Sequence, residues 1–406
     1  MRNLLIFLTL SILPALARGE NWPGWRGPRG DGTSAESGVP TTWSATENVL
    51  WKTPLPGSGH ASPIVWEDRL FVVASLDETA ERVLICLDRA DGSPLWQKTV
   101  LRSPLEGKHS LNSYASSTPA TDGETVYVSF LDREEMFVAA YDFDGRERWS
   151  ARPGAFSSRH GYCSCPVLFE DKVIVNGDHD GEAYIVALNR ETGDVVWKIR
   201  RPNNTRSYAT PLIREIDGRT QMILAGNKCV ASYDPRDGSQ HWMMDGPTEQ
   251  FVASMVYNGR LLFMSCGFPE HHLLAIRPDG SGNVTETHVA WRTTQGAAYV
   301  PSPIAAGDYF LVISDDGIAS CFAADSGERM WQERLGTHYS ASLVSAGGLV
   351  YFLDDAGKTT VVRPGEELDI VAENELDEAC YASPAISEGT IYIRGEKNLY
   401  AIGAAN

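Results

Sequence analysis

Ala187-Leu188-Asn189-Arg190-Glu191-Thr192-Gly193-Asp194-Val195-Val196-Trp197 decides how this chain folds, because the same arrangement returns along it. Cys86-Leu87-Asp88-Arg89-Ala90-Asp91-Gly92-Ser93-Pro94-Leu95-Trp96 keeps its spacing, and Ser232 to Trp242 and Cys321 to Trp331 keep it too. Ala140 to Trp149 is one residue shorter, and Ala275 to Trp291 is expanded. The shared form is small-x-Asp-x-x-Thr/Ser/Asp-Gly-x-x-x-Trp, which reads as a strand, a tight turn and a returning strand. The Asp caps the turn through its own backbone, the Gly supplies positive φ, and the Trp opens burial on the way back.

Working outward, the tryptophans at Trp51, Trp96, Trp149, Trp197, Trp242, Trp291 and Trp331 are separated by 45, 53, 48, 45, 49 and 40 residues. A period in that range marks a supersecondary unit repeated until neighbours bury one another's faces. Each unit also contains an earlier hairpin. These begin at Ser62-Pro63, Thr118-Pro119, Cys165-Pro166, Thr210-Pro211, Ser254-Met255, Ser302-Pro303, Ser342-Leu343 and Ser383-Pro384, and run as β-branched and aromatic stretches around short turns. Four strands per unit make a propeller blade, so the expected fold is all-β, an eight-bladed β-propeller of four-stranded antiparallel blades. The last blade lacks a fourth strand, while Val49-Leu50-Trp51-Lys52 is a fourth strand with no blade in front of it. Pairing the two closes the ring and removes its exposed edges. The seventh blade, ending near Leu368 to Ala372, has no blade-end tryptophan, so its outer edge is expected to be the loosest.

The motif resembles the tryptophan-docking motif of the pyrroloquinoline-quinone-like (PQQ-like) repeat family of eight-bladed propellers, over residues from about Trp43 to Gly403. The resemblance implies that each indole packs across onto the neighbouring blade. WD repeats are excluded because Lys52, Gln97, Ser150, Lys198, Met243, Arg292 and Gln332 follow the tryptophans, never Asp; kelch repeats are disfavoured because Gly347-Gly348 is the only double glycine.

Residues 1–19 read as a cleaved export signal: Met1-Arg2, an apolar run from Leu4 to Leu16, and small residues at Ala15-Leu16-Ala17 or Ala17-Arg18-Gly19. The run is short for a membrane span. The first cysteine is Cys86, so no lipid anchor is expected, a departure from the BamB-type outer-membrane assembly lipoproteins that the propeller otherwise resembles. A periplasmic or secreted location follows. Residues 20–45, opening Asn21-Trp22-Pro23-Gly24-Trp25-Arg26-Gly27, have too many turn formers for a regular element and are expected to form a strap on the propeller of residues 46–406. That opening is similar to the one found in secreted PQQ-like proteins of planctomycete-type bacteria.

The net charge of −18 argues against nucleic acid as a partner. Seven cysteines leave at least one unpaired; Cys86 and Cys321 take the small core position as buried thiols, and Cys163-Ser164-Cys165 is too close for an ordinary bridge. In quinone-dependent members, the family resemblance implies an aromatic floor, calcium on acidic and amide side chains, a catalytic Asp and a disulfide between adjacent cysteines. Here seven tryptophans serve blade ends, Trp66 a hairpin, and Trp22, Trp25 and Trp43 the strap, and no Cys-Cys pair occurs. No cofactor is therefore expected, with PQQ and calcium as the alternative. Asn176-Gly177-Asp178-His179-Asp180-Gly181-Glu182 has calcium-loop character, yet Ser314-Asp315-Asp316-Gly317 and Leu353-Asp354-Asp355-Ala356-Gly357 recur at the same repeat position, which favours a structural turn over a metal.

The preferred function is an exported, non-catalytic binding or scaffolding propeller, with a quinoprotein dehydrogenase as the alternative. Just before each blade's first strand stands an aromatic or imidazole ring: His60, Tyr114, Tyr162, Tyr208, Phe251, Tyr299, Tyr339 and Tyr381. These rings should line one mouth, joined by Asn112, Arg159, His160, Arg206, Gln250, Gln295 and His338. Arg159 and Arg206, with His160, Tyr162 and Tyr208, form a basic aromatic cluster suited to an anionic small ligand or an acidic protein segment. Alternatively, both arginines pair with neighbouring carboxylates. A monomer is expected.

Overall fold

The computed structural model describes residues 19–404, so residues 1–18 of the expected export signal lie outside the described residues. Eight sheets form the propeller, each built on an antiparallel four-stranded blade; in the first seven the four blade strands run in sequence order from inner to outer. Blade one is Ile64–Trp66, Arg69–Leu76, Glu81–Asp88 and Pro94–Arg102; blade seven is Val344–Ala346, Leu349–Leu353, Lys358–Arg363 and Asp369–Glu375. Val49–Pro54 pairs antiparallel with Asn398–Ile402 as the outer strand of blade eight, Lys52 facing Tyr400. The ring thus closes by joining distant parts of the chain.

The repeat motif acquires its physical reason from the registers. The small residue lies directly opposite the indole in each complete motif: Cys86 opposite Trp96, Ala140 opposite Trp149, Ala187 opposite Trp197, Ser232 opposite Trp242, Ala275 opposite Trp291 and Cys321 opposite Trp331. A larger side chain there would collide with the ring. The register shifts beside each of these pairs, so the residue before the indole is the extra one of a β-bulge, and the added twist aims the ring at the next blade.

On the neighbouring blade the indole meets the next motif's turn. Trp51 Nε1 donates to Arg89 O at 2.9 Å, Trp96 to Phe143 O at 2.8 Å, Trp149 to Arg190 O at 2.9 Å and Trp291 to Ala324 O at 2.8 Å. The turn glycine serves two ends. Gly193 has φ of 76°, and a Cβ built on it would lie 2.5 Å from Cε3 of Trp149. Only glycine supplies both the left-handed backbone and the flat surface that receives the ring.

Two blades depart from the repeat. The expanded Ala275 to Trp291 segment contributes an additional strand, Gly282–Asn283, which runs parallel to Gln240–Asp245 as a fifth strand of blade four. Trp242 is fully buried, clustered with Val284 just after that strand, and donates to Gln221 Oε1 at 2.8 Å instead of to a turn carbonyl. In blade seven Ala372 stands where an indole would, opposite Val361. The vacancy is filled from residues 20–45: Trp43, 5 % exposed, stacks on Tyr351 with ring centroids 6.4 Å apart and shares a core cluster with Ala372. Asn374 clasps the same segment, accepting from Trp43 N and donating to Thr41 O. Trp22 is fully buried against blade one and exchanges backbone hydrogen bonds with Val65.

Candidate functional site

Segments leading into all eight first strands converge on the axis around a cavity of about 430 Å³. Its lower wall is a belt of the Ser, Thr and Cys residues that open the blades. Ser62 N donates to Thr118 Oγ1, Thr118 N to Cys165 Sγ, Thr210 N to Ser254 Oγ, Ser254 N to Ser302 Oγ, Ser302 N to Ser342 Oγ and Ser342 N to Ser383 Oγ, at 2.9–3.2 Å. A short polar side chain at this position satisfies the first amide of the preceding blade, which would otherwise face the channel unpaired. The sequence shows the pattern, but the belt becomes visible only when the blades close into a ring.

Trp25 closes the far end of the cavity, its Nε1 donating to Ser254 Oγ at 3.1 Å. Arg26 beside it is buried and donates to Ser302 O and Pro303 O, which locks the segment across the channel. The sequence reading that kept every tryptophan out of the site is therefore corrected at this one residue. Nothing in the local sequence marks it, because residues 20–45 carry no period that ties Trp25 to a blade.

The upper wall holds His60, Asn112, His160, Tyr208, Tyr299, His338 and Tyr381 of the residues expected there. His60 and Tyr381 meet as a tilted pair with centroids 4.7 Å apart; Tyr208 OH bonds to Ser158 Oγ at 2.7 Å, and Tyr299 OH donates to Gln250 Oε1 at 2.9 Å. Gln250 is buried and supports Tyr299 from behind without lining the cavity. His109 and Leu111 line it as well, brought over the rim by the long connection between Arg102 and Ala120.

The remaining expected rings turn away. Tyr162, 4 % exposed, lies edge-on to Phe156 and reaches the Ser129 hydroxyl, and Phe251, with no polar tip, is fully buried. Tyr339 is 1 % exposed and packs where Gly336 leaves room beside its ring. These three wedge blades apart instead of facing a ligand. Tyr114 stands outside the cavity, its ring beneath the Lys108 ammonium at 5.1 Å and the Arg82 guanidinium at 5.7 Å. The basic cluster also resolves differently from expectation. Arg206 is engaged by both oxygens of Asp180, at 2.7 and 2.9 Å, whereas Arg159 is exposed with no side-chain partner among the described residues. Neither lines the cavity.

The recurrent acidic turns hold the mouth in place. Asp315 accepts from Tyr299 N at 2.7 Å and Val300 N at 3.0 Å, and Asp355 accepts from Ser340 N at 2.7 Å. Asp178 accepts from Ser207 Oγ and pairs with the fully buried Arg201. Each carboxylate thus fixes the segment entering its own or the neighbouring blade. Among the described residues no group of three or more His, Cys, Asp or Glu is placed to hold a metal ion. For a quinone with calcium, Trp25 offers an aromatic floor, but the carboxylates at the cavity are spent on backbone amides and hydroxyls. The donor set therefore does not fit calcium. Cys163 and Cys165 are free thiols at the cavity, and burial raises the pKa of both.

Burial, with Arg394 and Lys108 nearby, pushes His60 from 6.5 down to about 4. A depressed imidazole binds its proton more readily in the unfolded chain, so His60 costs the fold nothing above pH 6.5 and favours unfolding increasingly as pH falls toward 4. The urea midpoint should drop across that window, and the drop should be shallower in His60→Asn. Parallel curves for the two proteins would show that His60 is not held neutral.

A family profile described as outer membrane protein assembly factor BamB matches residues 34–130 and 79–333. No curated protein matches the chain. Among solved structures, BamB from Moraxella catarrhalis is similar with a TM-score of 0.62 at 15 % identity, over 87 % of this chain and 96 % of that one. A europium-containing methanol dehydrogenase gives 0.57 at 12 % identity over 93 % and 90 %, and quinohemoprotein alcohol dehydrogenase from Comamonas testosteroni 0.55 at 14 % over 95 % and 81 %. At such identities the likeness is one of fold. No helix among the described residues is long and apolar enough to cross a membrane.

Proposed function

The chain belongs to the family of the outer membrane protein assembly factor BamB, and from that premise we propose that it is an exported binding propeller, periplasmic or secreted, which captures a small molecule or the end of a protein segment in its central cavity. One observation carries the reading: a largely apolar central cavity to which every blade contributes, lined by Trp25 and walled by phenols and imidazoles. Rings of this kind give large contact area with hydrogen-bonding edges, and convergence of eight segments gives the rigidity that keeps the ordering cost of binding low. The anionic preference assigned to Arg159 and Arg206 is weakened by the Asp180 pairing, which neutralises one of the two.

The test is what the protein retains. Native mass spectrometry and absorbance of protein recovered from its own host should show a bound small molecule or peptide, and Trp25→Ala should lose it while remaining folded by circular dichroism. Retention undiminished in Trp25→Ala would place capture elsewhere on the surface. A quinone spectrum would instead move the reading to the PQQ-dependent dehydrogenase.

A further inference from the structure

The cavity contains one imidazole built differently from the others. His338 Nδ1 faces Asp355 Oδ2, and the same carboxylate accepts from Ser340 N at 2.7 Å and Ser340 Oγ at 3.0 Å, while Asp355 N donates to His338 O at 3.0 Å. Asp355 is thus held from several sides and holds the ring in turn. A nitrogen facing a carboxylate carries the proton, which leaves Nε2 as the group His338 offers to the cavity it lines. Nε2 has no hydrogen-bond partner among the described residues, and the side chain is 43 % exposed.

The surroundings decide what such a nitrogen would take. Asp315, the one carboxylate among the described residues that line the cavity, accepts through its two oxygens from Tyr299 N and Val300 N. His60 and Tyr381 pack against each other as a tilted pair, and Lys108 is drawn to Tyr114. The cavity that His338 lines is largely apolar or phenolic, with Tyr299, Val300, Tyr381 and Trp25 among its walls and the hydroxyls of Ser340 and Ser342 on His338's own segment.

We propose that His338 anchors a carboxylic acid group on an aromatic, otherwise apolar ligand in the central cavity, with Asp355 as the positioning residue. This rests on the cavity being the binding site. Whichever partner brings the proton, the contact ends as imidazolium and carboxylate, and Asp355 offsets the charge on the ring from behind. A neutral amide of the same shape forms no such pair.

Calorimetric titration of the full protein with 2-naphthoate and with 2-naphthamide tests it. The acid should bind at least about tenfold tighter than the amide, the span expected for a hydrogen bond to a charged group. His338→Gln should erase that ratio by weakening the acid alone. Asp355→Asn keeps the acceptor oxygen for Ser340 N while removing the charge behind His338, so a lowered ratio with unchanged amide affinity and melting temperature would report positioning; an unchanged ratio would remove Asp355 from the proposal. Equal binding of the two probes to the wild type, binding of neither, or a ratio indifferent to His338→Gln would overturn the assignment. If Trp25→Ala left acid binding intact while His338→Gln removed it, the acid would be held outside the cavity, and the cavity reading would fail instead.

Discussion

A chain beginning at Leu55 should aggregate on expression, whereas one beginning at Glu47 should remain a closed, though less stable, ring. The first lacks Val49–Pro54 and leaves Asn398–Ile402 as a bare edge of the last blade, with five paired positions undone. An unpaired strand edge is a template for association, and the loss of Trp51 also uncovers the Arg89 turn of blade one. The second truncation keeps the edge paired. It forfeits Trp22, Trp43 and Arg26, all buried, so its melting temperature should fall well below that of the intact protein. Light scattering of the two purified proteins distinguishes them. Equal scattering would mean that closure by Val49–Pro54 is not what keeps the ring monodisperse.

What the sequence makes legible is whatever repeats. The eight blade starts are readable because a Ser, Thr or Cys recurs at one position, and the outer hairpins because small residue, glycine and tryptophan recur at fixed offsets. The registers and the close approach of each turn glycine to an indole show that these three residue types belong to a single contact, repeated around the ring except at blades four and seven. What does not repeat is hidden. Whether a mouth ring faces the cavity depends on neighbours far away in sequence, such as Ser129 for Tyr162, and the loss of Arg206 as a free cation depends on Asp180 across a turn. Trp25 and Trp43 come from a segment without period, yet one floors the cavity and the other fills the space that Ala372 leaves in blade seven. That last contact is the reason blade seven, which lacks its own indole, is nevertheless packed at Tyr351.

Trp242→Ala should be the most destabilising of the blade-end tryptophan substitutions, by about 3–5 kcal/mol, and Trp197→Ala should cost roughly half as much. The two occupy the same motif position, so a sequence argument ranks them equal. Their surroundings differ. Trp197 is half-buried, and its Nε1 reaches Pro235 O at 3.2 Å, so part of the ring already faces water and truncation opens a groove more than a cavity. Trp242 is fully buried in a core cluster that includes Val284, which follows the additional Gly282–Asn283 strand, and its Nε1 shares Gln221 Oε1 with the Ser232 hydroxyl while Gln221 Nε2 donates to Pro278 O at 3.0 Å. Removing the indole there leaves a sealed void and strips one donor from a buried amide whose other contacts hold the expanded loop. The loop should loosen with it, raising amide exchange at Gly282 and Asn283. Urea midpoints that place Trp197→Ala below Trp242→Ala would show that the burial of Trp242 beside the expanded loop does not make it the costlier indole to remove.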